Sequence, residues 1–187
     1  MFCGGEVLMD LSVGEKVAYP NQGVCIVESI RRTALGSTTV KCYTLRLLSD
    51  NSTILVPLDN AENIGIRPVI SQQQCKKLIR SLSADFELVS CDWKSRSKEF
   101  AEKLRSGDLF AVADVLKKLT FLSYEKKLSF REQTLLDKSR SLILSEILVA
   151  EPMDEEIAVE KVDKLVAKAC EKHQTVQPRV MNGNNSH

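Results

Sequence analysis

Between Val13 and Val69 the apolar positions come in short runs, EKVAYP, GVCIVESI, KCYTLRLL, STILVPL and NIGIRPVI, rich in Val, Ile, Thr and Tyr. Turn-forming stretches separate them, among them Pro-Asn-Gln-Gly, Leu-Gly-Ser and Ser-Asp-Asn-Ser. β-Branched and aromatic side chains fit a pleated, half-buried surface, and Gly, Asn and Pro supply the turn dihedrals, so the runs predict five strands. Strands this short and closely spaced predict a small, strongly bent antiparallel barrel of SH3 or Tudor type. Such a barrel leaves at least one edge open, where a partner strand can add.

After Pro68 the period becomes helical. Ser71 with Gln74 fits a capping box ahead of Cys75, Leu78, Ile79 and Leu82. Asp92 is placed to cap a second helix to about Arg105, with Gly107 as its left-handed stop and Asp108 capping a third. Ser129 and Glu132 form another capping box, opening a helix that Pro152 ends, and Asp154 starts a last helix to about Lys172. The fold class expected is α+β in two domains, a Tudor-like barrel over 11–69 and a compact five-helix bundle over 70–174. Residues 1–10 read as an extension in which Met9 is a candidate start, and the Gly/Asn-rich stretch 175–187 reads as a disordered tail.

Composition narrows the function. The net charge of +1, from 26 basic and 25 acidic side chains, does not describe a polycation that coats nucleic acid indiscriminately. The distribution is uneven: residues 71–150 hold fifteen basic against eleven acidic groups, and residues 151–174 hold four against seven. The six cysteines form no CxxC pair and have no histidine at ligand spacing, so they read as reduced, buried small hydrophobes of a cytoplasmic protein, with no metal and no cofactor expected. No apolar run approaches the ~18 residues of a membrane span. The two histidines, His173 and His187, lie near or in the tail, outside the expected core, and no phosphate-loop, dinucleotide, zinc-protease or nucleophile-elbow motif is present. Binding, not catalysis, is the expectation.

The stretch SCDWKSRSKEF, Ser90 to Phe100, sets the chain's one tryptophan among charges. At 100° per residue Phe100, Ala101 and Leu104 share the core-facing stripe, and Trp93 falls near the azimuth of Phe100. Trp93 is then either a first-turn anchor or, at the extreme N-terminus just past the Asp92 cap, a probe facing outward. A positive helix end with lysine and arginine within two turns suits phosphate, and a planar ring there suits a minor groove or an unstacked base.

The segments LSVGEKVAYPNQGVCIVESI, TILVPLDNAENIGIRPVIS, DWKSRSKEFAEKLRSGDLFAVADVLKKL and LSFREQTLLDKSRSLILSEILVAE, in this order, resemble the CarD-like (CarD/CdnL) bacterial transcription regulators. The resemblance implies a Tudor-like domain that binds the lobe of the RNA polymerase β subunit and a helical domain that contacts promoter DNA at the upstream edge of the bubble, stabilising the open complex. It implies DNA contacts at Trp93, Lys94, Arg96 and Lys98, with Trp93 wedged into the minor groove. It also implies polymerase contacts at Thr33 and along Ile54, Leu55, Val56 and Pro57. A bacterial cytoplasmic monomer without enzymatic activity or small-molecule substrate is expected. The alternative of another class is a protein-protein adaptor whose barrel binds a strand and whose bundle never touches DNA; an RNA-binding module fits less well, because the barrel half is slightly acidic and poor in aromatics.

Overall fold

The computed structural model describes residues 10–87 and 92–176. Five strands, β1 (Lys16–Tyr19), β2 (Gly23–Leu35), β3 (Thr38–Leu47), β4 (Thr53–Pro57) and β5 (Arg67–Pro68), form one antiparallel sheet in the order β4-β3-β2-β1-β5. The expected barrel is not closed, since β4 and β5 are the two edges and do not pair with each other. The run NIGIRPVI, expected as a full strand, explains why. Its start is the end of a short helix, α1 (Ala61–Ile64), that follows a 3₁₀ turn over Leu58–Asn60, and Gly65 at φ 83° then turns the chain. Only Arg67 and Pro68 pair with β1, and Pro68 has no N–H to extend the ladder. Ala61 fills the open side of the sheet, buried with Val17, Cys25, Val27, Tyr43, Leu45, Val56 and Ile66.

The second half holds the five expected helices: α2 (Gln72–Leu82), α3 (Trp93–Arg105), α4 (Leu109–Glu125), α5 (Phe130–Ala150) and α6 (Glu155–Val176). Each predicted cap is present. Ser71 and Ser129 each make a complete capping box, Asp92 accepts from the N–H groups of Lys94 and Ser95, and Asp108 accepts from that of Phe110. Gly107, at φ 75°, sits in the left-handed region just after α3, where a side chain costs most. A separate apolar cluster built around Leu78, Phe100, Leu116, Leu119, Ile143 and Ile147 forms the bundle core.

The halves are joined by a polar seam. Arg67 of β5 donates to both carboxylate oxygens of Glu146 on α5, at 2.6 and 2.9 Å, and to the Gly107 carbonyl at 2.8 and 3.0 Å. The Ile70 N–H also donates to Glu146, at 3.2 Å, so this buried carboxylate is shared between the end of the sheet and the start of the bundle. Pro20 packs beside both Gly65 and Gly107, within 3.4 Å of where a β-carbon would stand.

Candidate functional site

The residues expected to make contacts fall at two places in this fold. The first is the N-terminal turn of α3. Asp92 holds the first amides through its carboxylate, at 3.3 Å to the Lys94 N–H and 3.0 Å to that of Ser95. Trp93 is the first helical residue, and its side chain lies outside the described part of the structure. Lys94 and Lys98, one helical turn apart, are both exposed on the same face.

Arg96 departs from the expectation. Its side chain is 5% exposed and donates at 2.7 Å to Glu132, itself 6% exposed, in the first turn of α5. A guanidinium buried against a carboxylate is not presented to a phosphate. The cause is positional: Arg96 lies four residues before Phe100, on the stripe that carries Phe100 and Leu104 into the core. Glu132 also closes the α5 capping box, accepting from the Ser129 N–H at 2.9 Å and the Ser129 hydroxyl at 2.8 Å, with Lys126 at 3.4 Å. Burial alone would raise its pKa, but the Ser129 backbone, Arg96, the Ser129 hydroxyl and Lys126 outweigh this and pull it from 4.5 down to about 2. The pair is thus a fixed joint between the starts of α3 and α5.

Other cations of the basic middle are also spent internally. Lys103 and Lys118 both bind Asp114, at 2.8 and 3.0 Å, and Lys117 donates to the carbonyls of Ser81 and Ala84. Burial lowers the pKa of Lys117. His173, expected outside the core, is 2% exposed, with its ring stacked on Phe86 at 4.2 Å and Nδ1 3.0 Å from Asp85. The sequence carried a signal for it: His173 continues the α6 stripe of Val162, Val166, Ala169 and Cys170. Cys25, Cys42, Cys75 and Cys170 are free and buried, and burial pushes the thiols of Cys25 and Cys170 up to about 11.

The second place is the edge strand β4, whose one neighbour in the sheet is β3. Ile54 and Val56 face the core, Val56 fully buried, while Leu55 on the opposite face is 44% exposed. Pro57 ends the strand opposite Cys42. Thr33 lies on β2 opposite Val40, where the β2–β3 hairpin runs on beyond the last β3–β4 pair. The sheet therefore brings Ile54, Leu55, Val56 and Pro57 together along one edge and sets Thr33 apart from them, on the projecting hairpin.

Residues 11–70, the sheet with its short helix, match the model of the CarD-like/TRCF RID domain, and residues 77–163, most of the bundle, match that of the CarD C-terminal domain. The chain belongs to the CarD-like family. Across most of its length this CarD-like chain is also similar to the Bacillus subtilis (strain 168) protein named "Putative transcription factor YdeB". The two are 25% identical over 143 residues, 76% of this chain and 94% of that one. The CarD-like proteins are transcription regulators, and the two matched segments hold the sheet core and most of the bundle core. Among the described residues no helix is long and apolar enough to cross a membrane.

Proposed function

We propose that this chain regulates transcription initiation by bridging the lobe of the RNA polymerase β subunit and promoter DNA at the upstream edge of the bubble, slowing the re-closing of melted DNA. The observation that carries the reading is the open edge strand β4, with its outer backbone groups unmatched by a second strand and Leu55 exposed, inside the segment that matches the RID-type domain. An edge of this kind binds by strand addition: the backbone supplies hydrogen bonds and the outward side chains supply specificity. In this reading Ile54, Val56 and Pro57 contribute backbone and shape, Leu55 contributes an apolar contact, and Thr33 touches the partner from the hairpin. On the other side Trp93 is the wedge, and Lys94 and Lys98 hold phosphates. Arg96 supports them from within and makes no phosphate contact.

The test is a pull-down with the isolated β lobe together with open-complex lifetimes on a promoter. Leu55→Glu should weaken lobe capture at least tenfold with an unchanged melting temperature, and Trp93→Ala should shorten the lifetime while lobe capture stays intact. Lobe capture indifferent to Leu55→Glu would sink the strand-addition reading. A folded Trp93→Ala protein with an unaltered lifetime would remove the wedge and favour an adaptor that never touches DNA.

A further inference from the structure

Phe130 is 91% exposed, far more than any other large apolar side chain among the described residues. It stands at the first position of α5, immediately after the Ser129 cap, while the residues that anchor this turn, Ser129 and Glu132, are engaged with each other and with Arg96. Nothing in the capping geometry calls for an aromatic there, since the side chain contributes no cap bond and no burial. Close to it in sequence are three exposed cations, Lys126 and Lys127 before it and Arg131 after it. Of the carboxylates close to it in sequence, Glu132 is buried and paired with Arg96 and Lys126, and Glu125 is the last residue of α4, across the connection to α5.

The Arg96–Glu132 contact joins the fourth residue of α3 to the third of α5, so the positive N-terminal ends of two helices lie side by side. Lys94 and Lys98 belong to the same end of α3. The combined surface carries Lys94, Lys98, Lys127 and Arg131, with Lys126 shared with Glu132, and a bare ring, and Asp92 on it is a carboxylate already occupied by two amides. A second copy of the chain would bring like charges together in a two-fold contact. A nucleic acid is complementary, because its phosphates meet the cations and its bases or sugars offer a flat face to the ring.

We propose that Phe130, flanked by Lys126, Lys127 and Arg131, is a second aromatic contact to promoter DNA, beside the one formed at the start of α3. The inference rests on the DNA-contacting reading given above. It widens the interface from one helix end to two, and explains how Arg96 serves DNA binding without touching it, by holding the two ends together.

Replacing Phe130 by the photo-crosslinker p-benzoylphenylalanine in the full chain, assembled with polymerase on a promoter, should give a crosslink to DNA; a parallel protein with the crosslinker at position 93 controls the underlying reading. Crosslinking at 93 without any at 130 overturns this inference alone, whereas none at either position overturns the DNA reading itself. A crosslink from 130 to a polymerase polypeptide also overturns it. As a second measurement, Phe130→Ala should lower affinity for a bubble-containing duplex about tenfold while Phe130→Trp preserves it, and Lys127→Ala should reduce the slope of log affinity against log salt by about one. Equal affinities for Phe130→Ala and the unmodified protein would end the proposal, because a side chain this exposed can be truncated without unfolding the bundle.

Discussion

Arg96 and Lys98 stand two residues apart in one helix and meet opposite fates. The difference is one of azimuth, and it was readable: counting back four from Phe100 places Arg96 on the apolar stripe, and counting back two places Lys98 off it. What could not be read is the partner, because Glu132 lies 36 residues away and reaches Arg96 only through the packing of α3 on α5. Removing one member of a buried pair strands the other, so Arg96→Ala should cost about 3 kcal/mol in urea unfolding, while Lys98→Ala should stay within about 0.5 kcal/mol. The same pair sets an acid response. The Glu132 carboxyl, at about 2 in the fold against 4.5 outside it, favours the folded state when ionised. That contribution is complete above about pH 4.5 and fades as pH falls through about 2. Urea midpoints measured across that interval should fall for the natural chain, and Glu132→Gln, less stable at neutral pH, should show a shallower fall.

At the level of elements, the caps were the most legible part of the chain. A serine or aspartate followed at the right spacing by free amides, with Gln74 or Glu132 reaching back, is a local device that needs no tertiary knowledge. Ser129→Ala removes an amide acceptor and the hydroxyl bound to Glu132 together, and should lower stability by about 1–2 kcal/mol, read from the thermal transition. Gly107→Ala should cost about 1–2 kcal/mol for its left-handed φ alone, with further strain because the new carbon would lie 3.2 Å from Pro20. The fifth strand was the poorest reading. Its residues have the right composition, but Gly65 and Pro68 divide them between a helix end and a two-residue edge, and Ala61 of that helix is buried among the side chains of the sheet. That contact is tertiary, and a strand pattern carries no trace of it. The long β2–β3 hairpin was likewise underestimated, since Arg31, Arg32 and Thr33 look polar along the chain yet continue the ladder opposite Cys42, Lys41 and Val40.

For the molecule as a whole, the switch from strands to helices after Pro68 was visible as a change of period, but the seam across it was not, because it is made by Arg67 of β5, Glu146 of α5 and the carbonyl of Gly107 between α3 and α4. Arg67→Ala leaves Glu146, 4% exposed on its side chain, with only the Ile70 N–H from the sheet side. The variant should lose coincidence between its unfolding curves. Thiol labelling of buried Cys25 reports the sheet and that of buried Cys170 reports the bundle, so the two labelling midpoints in urea should superimpose for the natural chain and separate for the variant.

The seam also bears on the proposed use of two surfaces at once. Three residues, 69–71, connect β5 to α2, too few to act as a slack tether, and Arg67 pins what freedom they leave. Two sites on a floppy linker can engage partners at many separations, with an effective concentration that declines gradually as the gap widens. Two sites on a stiff body tolerate one separation and reject the rest. On the bridging role proposed above, the span from the β4 edge to the paired helix ends would work as a ruler, with the hydrogen-bonded fork between Arg67 and Glu146 as its calibration mark.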